Sequence, residues 1–204
     1  RNYVIEFGAN LEDKDIFHIK PYKDGTLNIL FSGVDWKRKG AEIAIDAVRQ
    51  LNEKGITSKL LLVGLRDVPQ RYANLPYVEN IGFLNKNYPD QYQKYIDTIR
   101  QSHIFLLPTR AECAGIVFSE SSAYGLPIFT YNTGGIGNYV IDGINGYKLP
   151  LTAKGKEFAD KIEESLKNNE FEKLGQGGIK LFNEKLNWHS WAESFKKIMQ
   201  DNCI

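Results

Sequence analysis

Apolar and polar positions along the chain follow two alternating rhythms. Short apolar or β-branched runs recur at Tyr3–Phe7, Leu27–Ser32, Lys59–Val63, Val78–Leu84, His103–Pro108, Pro127–Tyr131 and Gly146–Leu149. Each has the length of a strand. Between several of them the apolar residues step by three and four. The clearest case is Ala41–Lys54, where Ile43, Ala44, Ala47, Val48 and Leu51 share a face before Gly55 ends the helix. Asp90–Ser102 and Ile116–Tyr124 read as further helices.

Strands alternating with helices predict a parallel sheet, because parallel neighbours need crossover connections and right-handed βαβ units supply them. A doubly wound, Rossmann-like α/β fold is therefore expected over residues 1–204, with a helical tail from about 151 to 204. Ligands in such folds sit beyond the carboxyl ends of the strands, so the loops after Ser32, Val63, Leu84, Pro108 and Tyr131 are where chemistry is expected. The tail reads as three helical stretches, broken near Gly175–Gly178 and near Asn187. In its last stretch Trp188, Trp191, Phe195 and Ile198 form one apolar face. That face is expected to pack on the domain's own sheet, with an anchor for a further domain as the alternative.

Composition narrows the function by exclusion. The hydrophobic content of 42% is enough for a core, and 26 Lys plus Arg against 25 Asp plus Glu leave a net charge of +1. So balanced a surface gives no general attraction to nucleic acid or membrane, and any anion must be held by local groups. Cys113 and Cys203 form no CxxC or Cys/His spacing, which argues against a disulfide framework or a zinc site and for a reducing cytoplasm. No apolar run spans a bilayer and none resembles a signal peptide. Met199 is the only methionine, so the sequence is expected to begin inside a longer reading frame.

Three loops carry candidate chemistry. Gly33–Gly40, GVDWKRKG, places Lys37, Arg38 and Lys39 between a strand and a helix, where cations and helix-start amides can neutralise a diphosphate. Taken alone it reads first as a solvated basic turn. Residues 111–127, AECAGIVFSESSAYGLP, put Glu112 in the loop after a strand and Glu120 about one turn into the next helix. Ala114 and Gly115 allow close backbone approach, and the Glu120 carboxylate could accept hydrogen bonds from a vicinal diol such as ribose or hexose. Either glutamate alone could instead serve a helix dipole. Asn132–Tyr139, NTGGIGNY, adds Gly134 and Gly135 at the same rim, or a plain strand-to-helix turn. Three such turns at one sheet edge favour a phosphate or sugar pocket. His18, His103 and His189 are scattered and receive no role, and no GxSxG elbow is present.

With these residues the chain resembles, over nearly its whole length, the donor-binding, carboxyl-terminal domain of retaining GT-B glycosyltransferases, in particular glycosyltransferase family 4. The resemblance rests on the E-x7-E motif Glu112–Glu120, on the Asn-Thr-Gly-Gly-Ile that follows and on Asp-Gly-Ile-Asn-Gly-Tyr at 142–147. It implies transfer of a sugar from a nucleotide diphosphosugar with retained configuration, by front-face departure of the leaving phosphate and without an obligatory metal or other cofactor. It also implies roles. Glu112 would meet the donor hexose at the reacting face, and the Ala114, Gly115 and Ile116 amides would bind its hydroxyls and the diphosphate. Glu120 would hold the ribose, Lys39 would neutralise the diphosphate beside Gly33, Phe83 and Leu84 would flank the base, and Gly134 and Gly135 would border the donor. Glu112 and Lys39 are the catalytic candidates.

The chain departs from the family pattern at three places. Val34 stands where many members have arginine, with Arg38 as the candidate substitute; Gly137 and Asn138 stand where many have Pro-Glu; Cys113 and Ala114 replace a commoner Gly-Phe. The resemblance further implies an amino-terminal acceptor domain outside this chain, so that the chain alone would bind donor and transfer little. The usual setting is bacterial surface-polysaccharide assembly, in the cytoplasm or peripherally at the inner face of the membrane. The rival readings are a catalytically silent nucleotide-sugar-binding or interaction module and a GT-B sugar epimerase or phosphorylase; an NAD-dependent dehydrogenase is weaker, since GGIGNY fails the GxGxxG spacing.

Overall fold

A computed structural model describes residues 2–202. Its centre is a parallel sheet of six strands, β1 (Leu27–Ser32), β2 (Ser58–Val63), β3 (Val78–Gly82), β4 (Ile104–Leu107), β5 (Ile128–Tyr131) and β6 (Gly146–Leu149), in the order β3-β2-β1-β4-β5-β6. The central strands are largely apolar because helices flank the sheet: Leu27, Ile29, Phe31, Leu60, Leu62, Phe105, Leu106, Ile128 and Phe129 are all buried. Register pairs Leu30 with Leu61 on one side of β1 and with Phe105 on the other.

Helix α1 (Ala41–Glu53) buries Ala41, Ala44, Ile45, Ala47, Val48 and Leu51, the stripe its spacing predicts. A short α2 (Gln70–Ala73) precedes β3, and α3 (Pro89–Arg100) follows it. Helix α4 (Ile116–Tyr124) differs from these. From Phe118 to Tyr124 every residue is buried, Glu120 among them. Three helices close the chain: α5 (Gly155–Lys167), which packs on α1, α6 (Glu170–Glu184), which packs on α4, and α7 (Trp188–Asn202).

Several expectations are corrected. Tyr3–Phe7 is not a strand: the Phe7 amide donates to the Tyr139 hydroxyl at 2.9 Å and its carbonyl accepts from Ser119 Oγ at 3.1 Å, so its backbone is satisfied outside the sheet. The run 78–84 ends as a strand at Gly82, the third in the sheet, and leaves Phe83 and Leu84 in the following loop. The tail does not break at Gly175–Gly178. Helix α6 runs through those glycines, Gly175 and Gly178 lying against the C-terminal half of α4 and its cap and Gly177 against the Ile144 carbonyl, and the break lies at Asn168 and Asn169, the latter in the left-handed region with φ 55°. The break near Asn187 is as expected.

The apolar face of α7 does not pack on the sheet either. Trp188 stacks on Phe7 with centroids 5.7 Å apart, Trp191 stacks on Phe195 at 5.2 Å, and Trp188, Phe195 and Met199 are exposed. His103 has a structural use, in that Nδ1 accepts the Asn28 amide at 2.9 Å and burial lowers the pKa of the ring. Cys113 is free and exposed, and Cys203 lies outside the described residues.

Candidate functional site

Strand order reverses direction at β1 and β4, whose carboxyl ends therefore open a crevice between two diverging loops. The loop after β1 brings Lys39 and the loop after β4 brings Glu112, 73 residues apart in sequence, into an ion pair across that crevice. Both side chains are largely shielded, at 10% and 13% exposure, so the pair holds the two loops in a fixed relation. The loops are also tied by backbone, since the Arg110 amide donates to the Arg38 carbonyl at 2.8 Å. Gly33 permits the Lys39 stem to lie inward: a Cβ there would sit 2.8 Å from Lys39 Cγ.

Arg38 turns toward the same point. Its Nη1 donates to the Ala111 carbonyl at 3.2 Å and lies 3.8 Å from Glu112 Oε2. Val34, where a family arginine is common, points into solvent at 64% exposure. Two cations and one carboxylate thus face the crevice beside the start of α4, and Asp35 lies 3.8 Å from Arg38 Nε.

The loop entering α4 is less open than the sequence suggests. Gly115 adopts φ −77°, ψ 62°, an inverse γ-turn in which the Ile116 amide donates to the Ala114 carbonyl at 2.8 Å. The Ile116 amide is therefore spent on the turn. Among the described residues the Ala114 and Gly115 amides make no backbone hydrogen bond. A second correction concerns the glycine pair. Gly135 donates its amide to the Glu112 carbonyl at 3.2 Å, and Gly134, at φ 52°, is pressed so closely on that carbonyl that a Cβ would approach it to 2.1 Å. Gly134 and Gly135 support the Glu112 loop, and only the Gly134 amide remains without a backbone partner there.

Glu120 is 8% exposed, one turn into α4, and its carboxylate is organised by two residues that sequence reasoning missed. Lys86 Nζ lies 3.2 Å from Oε1, and the Tyr95 hydroxyl donates to Oε2 at 3.2 Å. Lys86 in turn sits 4.2 Å over the Tyr95 ring. Burial, and then the Glu120 charge, push the Tyr95 pKa well up, so Tyr95 remains a hydrogen-bond donor. Nothing in the local sequence marks either residue, because they come from the β3–α3 loop and from α3 itself.

Phe83 is exposed after β3, and the Arg66 guanidinium from the loop after β2 lies 4.0 Å over its ring. Leu84 is partly buried against the core. The structure brings together Lys39, Arg38, Glu112, Ala114, Gly115 and Gly134 around the crevice, with Glu120 held a turn deeper in α4.

The comparisons with known proteins bear on the family and the fold. The sequence model of the family described as glycosyl transferases group 1 matches residues 12–181. An uncharacterised glycosyltransferase of Methanocaldococcus jannaschii is 29% identical over 203 residues, covering 98% of this chain and 54% of the relative. This chain spans about half the length of the curated relatives it matches. The fold is that of HepE from Anabaena in complex with UDP-glucose, with a TM-score of 0.70 at 15% identity over 86% of this chain and 49% of that one. It is likewise that of the carboxyl-terminal domain of a group 1 glycosyl transferase from Francisella tularensis, with a TM-score of 0.62 at 16% identity, covering 89% of this chain and 95% of that one. The match of the family model over residues 12–181 of this doubly wound fold identifies the chain as a member of the group 1 glycosyl transferases.

Proposed function

We propose that this chain is the nucleotide-sugar-binding half of a retaining glycosyltransferase, and that an acceptor-binding half lies in a domain amino-terminal to it. The observation that carries the reading is the Lys39–Glu112 pair across the β1/β4 crevice, with the free Ala114 and Gly115 amides beside it.

The diphosphate lies between Lys39, Arg38 and those amides, which match its charge and supply several donors at once. Glu120 accepts hydrogen bonds from the ribose hydroxyls, its carboxylate aimed by Lys86 and Tyr95. Phe83, Leu84 and Arg66 border the base. Glu112 meets the sugar hydroxyls near the anomeric carbon. In the reaction the bond from that carbon to the diphosphate oxygen breaks, the acceptor oxygen bonds to the carbon on the same face, and the acceptor proton passes to the departing diphosphate. Negative charge grows on the diphosphate as the bond breaks, so Lys39 and Arg38 contribute more in the transition state than in the ground state. The charges are supplied by the protein, and the reading assigns no metal.

Calorimetric titration of the chain with UDP, GDP and ADP, repeated on Glu120→Ala, tests this. One nucleotide should bind, and the substitution should weaken it by about 10- to 100-fold, the worth of hydrogen bonds to a charged group. Binding that ignores Glu120→Ala, or no binding of any of the three, would sink the reading.

A further inference from the structure

A second cavity, of about 470 Å³, adjoins the crevice at Arg38 and is lined by Trp36, Lys37, Arg38, Ile43 and Arg110 among others. Its walls are largely apolar, from the Trp36 indole, Ile43 and the side-chain stems, whereas its charged groups are mostly cations. Glu42, on the same wall, is already engaged: it accepts from Trp36 Nε1 at 3.4 Å and from the Tyr72 hydroxyl at 3.2 Å, and it pairs with Arg71 at 3.4 Å. Arg38 is shared between Asp35 and Glu112, each at 3.8 Å.

Lys37 and Arg110 have no carboxylate within ion-pair distance among the described residues. The Arg110 guanidinium lies over the face of Tyr131, 5.9 Å from its centroid. Lys37 and Arg110 therefore bring two cations without an ion-pair partner among the described residues to the cavity beside Arg38, whose charge Asp35 and Glu112 share, in a molecule whose overall charge is nearly balanced. Like charges brought together repel, and a bound anion relieves that repulsion. Two guanidinium forks and an ammonium suit the several oxygens of a phosphate better than the two of a carboxylate.

We propose that this cavity is a second anion subsite, separate from the diphosphate position at Lys39, and that it takes a phosphate group carried by the acceptor. The assignment to the acceptor rests on the donor reading above; the anion site itself does not. Arg38 is the shared wall between the two positions, so an acceptor phosphate seated here lies next to the sugar-transfer centre. Trp36 and Ile43 offer an apolar surface to whatever bears the phosphate, either a sugar ring or a lipid chain.

The test is an NMR titration following the Trp36 indole N–H and the Arg110 Nε–H. Glucose 1-phosphate and a short polyprenyl phosphate are the two probes, with glucose and inorganic phosphate as controls, each with and without the nucleotide that binds best among UDP, GDP and ADP. At least one phosphorylated probe should shift both signals on a single isotherm, and the nucleotide should not displace it. Preference for glucose 1-phosphate assigns a phosphosugar, and preference for the polyprenyl phosphate assigns a lipid-linked acceptor. Arg110→Gln and Lys37→Gln should each weaken that probe at least fivefold while leaving nucleotide affinity within twofold. Competition with nucleotide, an affinity unchanged in both variants, or no shift from either probe overturns the proposal. If nucleotides fail to bind while a phosphate probe still titrates Arg110, the donor reading fails and the anion subsite stands.

Discussion

Lys39 is the residue on which the geometry turns, and its position separates two ways a cation can act. A lysine that merely steadied the Glu112 loop would affect all ligands of the crevice alike, whereas one aimed at a diphosphate discriminates between ligands that carry it and ligands that do not. Lys39→Met keeps the apolar stem that lies against Gly33 and removes the charge. We expect it to weaken the best-binding nucleoside diphosphate by about 10- to 100-fold, the range for a charge-assisted hydrogen bond. The affinity of the matching nucleoside should change by less than twofold in the same titrations. An equal loss for both would assign Lys39 to the loop alone. In the sequence Lys39 and Glu112 are visible as candidates because each follows a strand end, yet nothing local says that they pair. Lys86 and Tyr95 were not legible at all: they reach Glu120 from 34 and 25 residues away, and only the path of the β3–α3 connection brings them there. The occupied amides of Ile116 and Gly135 were hidden for a related reason, since a glycine-rich stretch announces backbone freedom but not how that freedom is used.

At the scale of elements, the strands and α1, α3 and α4 were legible to within a few residues because burial on both faces leaves continuous apolar runs and burial on one face leaves a stripe. The failures share a cause, which is that local signals were read without their tertiary partners. Tyr3–Phe7 has strand-like composition but no neighbour to pair with, and its polar backbone is met by Tyr139 and Ser119 instead. The Gly175–Gly178 cluster has the composition of a helix break, yet it is the contact face of α6. A Cβ at Gly175 would come within 2.6 Å of the Gly125 carbonyl oxygen at the end of α4, so the glycine lets two helices approach closely. Gly175→Ala opposes two effects of opposite sign. Helix propensity alone would stabilise by about 0.5–1 kcal/mol. Forcing α6 away from α4 costs about 1–3 kcal/mol by the usual penalty for overpacking. We expect the contact to win, with a net loss of stability in urea denaturation; a net gain would mean that α4 and α6 can separate without cost. Because α4 carries Glu120 and begins at the crevice, the same variant should also weaken nucleotide binding.

Across the whole molecule stability is unevenly distributed, and α7 lies at its low end. The central sheet strands are buried on both faces and their ladders cross the molecule, whereas α7 is held mainly where it begins. There the Trp188 backbone passes so close to Gly8 that a Cβ would approach it to 2.4 Å, and the Trp188 ring stacks on Phe7. From Ala192 to Lys197 every residue is exposed. A helix of this length has marginal stability on its own, because nucleation is costly and each residue adds little. The Trp191–Phe195 stack supports one turn but ties it to nothing in the core. Native-state hydrogen exchange should therefore divide the chain. Amides of β1 and β4 should exchange only through global unfolding, with rates that rise steeply as denaturant is added. Amides from Ala192 to Asp201 should exchange much faster, through local opening that denaturant hardly changes. If the α7 amides instead joined the global isotherm of the strands, the exposed stripe would have to be coupled to the core through contacts stronger than ring stacking on Phe7, and α7 would belong to the cooperative unit that holds the crevice.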